Sequence, residues 1–201
     1  MTAMPMPDMP ETPKMGPWHT PPEGGFHAED LDYIPDLPPH TELIDGSLVF
    51  VSPQANFHML TISLLEMVLR RLVPSELRVR REMTITIGPR QRPEPDLLLV
   101  RAEGITGPEQ TTYRPQHVQL VVEVVSPDSE ERDRERKPQL YAKAGIPHFW
   151  RVENTGGRPT VYVYELDPAT NVYALTGIHH DRLKLTVPFD LDIDLTEIDR
   201  L

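Results

Sequence analysis

Glu94-Pro95-Asp96-Leu97-Leu98-Leu99-Val100 and Val118-Gln119-Leu120-Val121-Val122-Glu123-Val124-Val125 are the two stretches that decide the fold. Each is a short, nearly continuous apolar run, the pattern of a central strand buried on both faces. Each also carries a carboxylate, Asp96 at the mouth of the first run and Glu123 inside the second. An ionised carboxylate among apolar side chains is costly, so it gains a cation, a hydrogen-bond network or a proton. For Glu123, set among valines, this leaves a structural salt bridge and a metal ligand as the two readings. If the runs are neighbouring strands, Asp96 and Glu123 would share one hard cation such as Mg²⁺, for which two carboxylates and a carbonyl suffice. Such an ion activates water and stabilises charge on a phosphoryl group.

Upstream, Thr41–Ile44 and Ser47–Val51 flank Asp45-Gly46, a two-residue hairpin signal because both turn positions need positive φ. A helix follows over about 54–73, with Phe57, Leu60, Leu64, Leu65, Val68 and Leu72 as its apolar stripe and Pro74 as its stop. Residues 78–87 alternate like a half-exposed strand or hairpin arm. Residues 101–116 read as a polar loop. Residues 128–144 look helical, but Pro138 requires either a kink or a fresh helix start, and Gly145 suits the C-terminal cap. His148–Val152, Thr160–Leu166 and Val172–Leu175 read as strands, His179-His180 as an exposed loop, and Leu183–Ile198 as strand-like and then acidic. The order β-β-α-β-β-β-α-β-β-β indicates a mixed α/β (α+β) domain around a central sheet.

The 201 residues suit one domain with a tail. Residues 1–39 hold ten of the 23 prolines and five of the eight methionines. Residues 1–28 therefore read as a disordered tail and 29–201 as the domain, with one helical turn at Glu29–Tyr33. There is no cysteine, which excludes disulfides, thiolate metal sites and a cysteine nucleophile. No apolar run reaches the roughly 20 residues of a membrane span, and no secretory signal is visible, so the expectation is a cytoplasmic protein without membrane contact. The net charge of −11 argues against holding nucleic acid by bulk charge alone. The charge is uneven, however: residues 70–92 contain seven arginines against two glutamates. Arg78, Arg80, Arg81, Arg90 and Arg92 are the candidate nucleic-acid contacts, with a solvated surface as the alternative.

Asp133, Lys137 and Tyr141 stand at i, i+4 and i+8, on one face if the helix is continuous. An Asp–Lys pair at this spacing is ordinarily worth only about 0.3–0.5 kcal/mol. Lys137 is nonetheless one of four lysines among 20 basic residues, and it follows the acidic strand.

These residues, taken with Glu42-Leu43-Ile44-Asp45-Gly46, Ser52-Pro53, His58, Pro95-Asp96, Glu123-Val124-Val125-Ser126-Pro127, Ala144-Gly145 and Phe149-Trp150, resemble the Uma-two family of restriction endonucleases within the PD-(D/E)XK nuclease superfamily. The resemblance covers about residues 29–190. It implies a restriction-endonuclease-like core, a central mixed sheet flanked by helices. It implies Asp96 and Glu123 as catalytic metal ligands, the main-chain carbonyl of Val124 as a third, and Glu42 as a further ligand or the holder of a metal-bound water. The superfamily's lysine, two residues after the acid, falls on Val125, and the resemblance implies Lys137 as its migrated replacement.

The expected activity is Mg²⁺-dependent hydrolysis of DNA, with Mn²⁺ as a substitute and Lys137 positioning or helping to deprotonate the attacking water. Asp96→Ala and Lys137→Ala are each expected to abolish cleavage with folding intact. His58 would touch phosphate, carry a proton or simply cap its helix. Tyr141 would bond a carboxylate of the site or only pack. A homodimer is expected by analogy, because two sites cut a duplex most simply. Two alternatives remain: a non-catalytic nucleic-acid or protein interaction module, and a metal-dependent hydrolase of small phosphoesters.

Overall fold

The computed structural model describes residues 17–201; residues 1–16 of the expected tail lie outside the described residues. Pro17–His19 form one 3₁₀ turn. Trp18 meets Phe50 with ring centroids 5.0 Å apart. Phe26 and Ala28 are buried with Leu43, so the chain packs onto the first hairpin ahead of residue 29. The turn expected at 29–33 is a 3₁₀ helix, Ala28–Asp32.

The Asp-Gly signal is realised. Strands β1 (Glu42–Ile44) and β2 (Ser47–Val49) pair antiparallel. Asp45 and Gly46 turn between them at φ 54° and 80°. Helix α1 spans Asn56–Leu72. Of its expected stripe, Leu64 and Leu65 are buried and Phe57 and Val68 pack against the core, while Leu72 is exposed; His58, Thr61, Ile62 and Leu69 are buried as well, so the buried face is rotated toward them. Apolar spacing alone could not show this, because a histidine and a threonine share the buried face with the leucines.

The single strand expected over 78–87 is divided into β3 (Leu77–Arg81) and β4 (Thr84–Ile85). Glu82 turns the chain between them at φ 50°, with its N–H donating to the Asp96 carbonyl at 3.1 Å. Strand β5 (Leu97–Arg101) follows. The polar loop after it contains a 3₁₀ turn, Ala102–Gly104, and strand β6 (Thr112–Tyr113), which pairs parallel with β4. Strand β7 spans Val118–Val124.

Pro138 lies in the first turn of helix α2 (Lys137–Lys143), where a missing N–H is tolerated. A π-helical turn, Arg132–Arg136, leads into it, with the Lys137 N–H reaching back to the Arg132 carbonyl. Gly145 closes α2 at φ 78°; its N–H bonds the Ala142 carbonyl and the Ile146 N–H bonds that of Tyr141. Strands β8 (His148–Thr155), β9 (Arg158–Asp167) and β10 (Val172–His179) follow, then the hairpin β11 (Arg182–Leu185) and β12 (Leu191–Asp194). His179 ends β10 and is half-buried, so the exposed loop expected at 179–180 begins one residue later.

The main sheet has six strands in the order β10-β9-β8-β7-β5-β3. Only β7 and β8 pair in parallel; the other neighbours are antiparallel. Alternation along β5 and β7 feeds two cores. Leu97, Leu99, Leu120 and Val122 pack with Ile62, Leu65 and Leu69 of α1. Leu98, Val100 and Val121 pack with Tyr141 of α2 and Phe149. Burying each such side chain is worth about 1.5–3 kcal/mol, which holds both helices to the sheet. No helix among the described residues is long and apolar enough to cross a membrane.

Candidate functional site

Strand register brings the two deciding carboxylates together. Leu97 pairs with Val122, so the ladder continued by one residue sets Asp96 opposite Glu123. Like charges facing each other across an antiparallel pair are destabilising, so this arrangement needs compensation nearby. Glu123 lies on the same face of β7 as Val121, beneath α2, and is 2% exposed. Asp96 is held at the strand end, its Oδ2 accepting the Val124 N–H at 2.6 Å.

The compensation is Lys137. Its Nζ stands 2.8 Å from Glu42 Oε1, 3.2 Å from Glu123 Oε2 and 3.2 Å from Asp133 Oδ1, and it is 4% exposed. Tyr141 donates its hydroxyl to Glu123 Oε1 at 2.6 Å. Ser129 donates to Asp133, and the Glu94 N–H donates to Glu42 Oε1 at 2.9 Å. The face shared by Asp133, Lys137 and Tyr141 is therefore real, and it points into the domain. His58 Nε2 lies 3.3 Å from Asp96 Oδ1, carried there by the rotated stripe of α1.

These groups, apart from the deeper Tyr141, line a cavity of about 120 Å³ at the end of the sheet, between the start of α1 and the turn after β7. Three more carboxylates that sequence reasoning did not assign to the site, Glu82, Glu94 and Asp128, line it as well. Glu82 arrives because of the strand break at its positive φ, which no periodicity revealed. His40, also unassigned from the sequence, stands at the cavity with Nδ1 2.5 Å from Glu94 Oε1. Seven carboxylates thus face Lys137, Arg132 and two histidines.

The electrostatics follow from this excess. Burial pushes the Glu123 carboxyl well above the usual carboxylate range, against the pull of Lys137, and neighbouring Asp133, Asp96 and Glu42 push it further. Burial raises Asp133 and Glu94 too. Burial works against the Lys137 charge, but Asp133, Glu123 and Glu42 together outweigh it, and the ammonium holds its proton well above the ordinary range. In this arrangement Lys137 stands as a positive charge among the carboxylates. Burial raises the Tyr141 hydroxyl well above its ordinary range, so it stays a donor. Burial opposes charging His58, but Asp96 and two further carboxylates prevail and raise it.

Among the described residues no three His, Asp or Glu side chains form a ready-made metal-ligand group. The donor chemistry nevertheless fits a hard cation, because the cavity wall is rich in carboxylate oxygens. Glu42, expected as a further ligand or the holder of a metal-bound water, faces Lys137 with Oε1 and accepts the Glu94 N–H there.

The arginine candidates separate. Arg92 is corrected from a nucleic-acid contact to a structural residue: it is 3% exposed, forks onto Asp32 at 2.8 Å and donates to the Ala28 carbonyl and Thr84. The hydrophobic segment around residue 28 buries it, a long-range event no local pattern encodes. Arg78 bonds the Ser75 and Leu77 carbonyls, and Arg80 bonds the Tyr113 hydroxyl. Arg81 points to the other face of β3, toward Glu66 and Glu82. Arg90 bonds the Asp45 carbonyl on the hairpin turn. None of the five lines the acidic cavity.

The family model Uma2, described as "Putative restriction endonuclease", matches residues 28–196. No curated protein matches the chain. A crystal structure described as "a putative nuclease belonging to DUF820", from Anabaena variabilis, shares the fold with a TM-score of 0.67 at 18% identity, over 86% of this chain and 97% of that one.

Proposed function

The chain belongs to the Uma2 family, and on that footing we propose that it is a metal-dependent nuclease that hydrolyses DNA phosphodiester bonds at the acidic cavity. One observation carries this reading: seven carboxylates surround one cavity whose only lysine among the described residues is already shared among three of them. Such an excess of negative charge has a physical use where a further cation binds.

Asp96, Glu123 and the carbonyl of Val124 would hold Mg²⁺, or Mn²⁺ in its place. When bound, the ion supplies an activated water and offsets charge on the phosphate. In the hydrolysis itself the water oxygen bonds to phosphorus, the bond to one sugar oxygen breaks, and that oxygen ends protonated. Lys137 contributes a fixed ammonium beside the reacting phosphate, the kind of preorganised charge that dominates such catalysis. Glu42 and Asp133 keep that ammonium in place, and Tyr141 orients Glu123 through Oε1.

The test is cleavage of plasmid and single-stranded DNA with Mg²⁺, Mn²⁺ or a chelator, with Asp96→Ala and Asp96→Asn alongside. Asparagine keeps an acceptor for the Val124 N–H and removes the charge. Metal-dependent cutting by the wild type that is lost in both variants is expected; cutting that persists in the chelator or in Asp96→Asn overturns the assignment. The interaction-module reading has one observation in its favour, namely that Lys137 already stands as a cation among the carboxylates. Metal-independent DNA binding without turnover would select it.

A further inference from the structure

We propose that Arg132 is the phosphate-receiving group of the cleft, taking phosphodiester oxygens of the substrate strand beside the carboxylate cage. The inference rests on the nuclease reading above and names a contact that reading lacks. A polyanion approaching seven carboxylates is repelled unless an uncommitted cation meets it at the same opening. The other cations are committed: Lys137 to Glu42, Glu123 and Asp133, His40 to Glu94, and His58 to Asp96.

Arg132 lines the cavity and makes no ion pair or hydrogen bond among the described residues. Its Nε is shut away from solvent without an acceptor, while the residue as a whole is only half-buried. A half-buried guanidinium with no carboxylate partner in acidic surroundings keeps its charge for an incoming anion. The neighbouring arginines sharpen the contrast. Arg134 and Arg136 belong to the same π-helical turn, yet Arg134 pairs with Glu130 and Glu153, and Arg136 pairs with Asp45. Arg132 opens that turn, and π-type turns in helices are frequent at functional sites. A guanidinium presents two parallel N–H groups that match a phosphodiester's oxygens, and an ammonium does not.

The experiment is fluorescence anisotropy of a short labelled duplex, and of its single strand, in chelator so that nothing is cut. Wild type, Arg132→Ala, Arg132→Lys and the distant surface control Arg182→Ala are titrated across a range of salt. Arg132→Ala is expected to bind about tenfold more weakly and to reduce the slope of log K against log salt by about 0.9, one phosphate contact. Arg132→Lys should fall between, and Arg182→Ala should match the wild type. Because Arg132 holds no partner among the described residues, the urea midpoint of Arg132→Ala should equal that of the wild type, which separates lost contact from lost fold. Wild-type affinity and salt slope in Arg132→Ala overturn the proposal, as does an equal loss in Arg182→Ala. A wild type that binds neither form of DNA overturns this contact, whereas the nuclease reading stands or falls by the metal-dependent cleavage assay above.

Discussion

Replacing Lys137 by methionine keeps the length of the side chain and deletes its charge. The substitution leaves Glu42, Glu123 and Asp133, each at most 3% exposed in its side chain, without the cation that stood 2.8–3.2 Å from them. Removing one partner of a buried ion pair costs about 3–5 kcal/mol, because the stranded charge stays desolvated. A domain's whole stability is about 5–15 kcal/mol, so the variant should be marginal. The cage thus predicts the opposite of a Lys137 variant that folds intact, and this measurement decides between the two.

The loss should depend on pH. Burial has raised the Glu123 and Asp133 carboxyls in the folded protein. Without Lys137 they bind protons more readily folded than unfolded, so stability rises as pH falls toward the ordinary carboxylate range. Urea unfolding followed by the fluorescence of fully buried Trp150, at about pH 8 and about pH 5.5, should show the deficit shrinking at the lower pH. Adding Glu123→Gln should return part of the loss, since it removes one stranded charge. A Lys137→Met variant within about 1 kcal/mol of the wild type at the higher pH would refute the cage as the source of stability.

Tyr141→Phe removes the hydroxyl bonded to Glu123 Oε1, and it should cost about 1.5–3 kcal/mol in urea unfolding. A cost under about 0.5 kcal/mol would mean the bond is not formed. The Arg92 side-chain hydrogen bonds hold the Asp32 carboxyl below the usual range, so the stability it contributes is present above the unfolded value and fades as pH falls through the folded one. Asp32→Asn should therefore narrow its gap to the wild type steadily on acidification; a gap independent of pH would show that the pair contributes no charge term.

Much of this architecture can be derived from local pattern. The Asp45-Gly46 turn needs only the positive φ its residues tolerate, and the β5 and β7 runs need only their uninterrupted apolar character. The spacing of Asp133, Lys137 and Tyr141 specified a shared face because α-helical geometry is periodic. Pro138 announced an interruption, and its missing N–H decided where α2 begins. The carboxylates Asp96 and Glu123 stood out because charge inside an apolar run has to be compensated.

Convergence is what no local pattern held. That Asp96 faces Glu123 depends on the β5–β7 register, and that Lys137 serves three carboxylates depends on how α2 lies over the sheet and where the β1–β2 hairpin docks. Glu82 entered the cavity through a strand break, and Arg92 left the surface because residues near the N-terminus cover it. Arg132 differs from Arg134 and Arg136 only in what the fold leaves within reach of each. The sequence by itself determined which charged groups the core would have to accommodate, since their burial follows from their apolar neighbours. Only the tertiary structure decided which of those groups neutralise one another and which remain open to a ligand, because Coulomb interactions depend on distances between residues far apart in the chain.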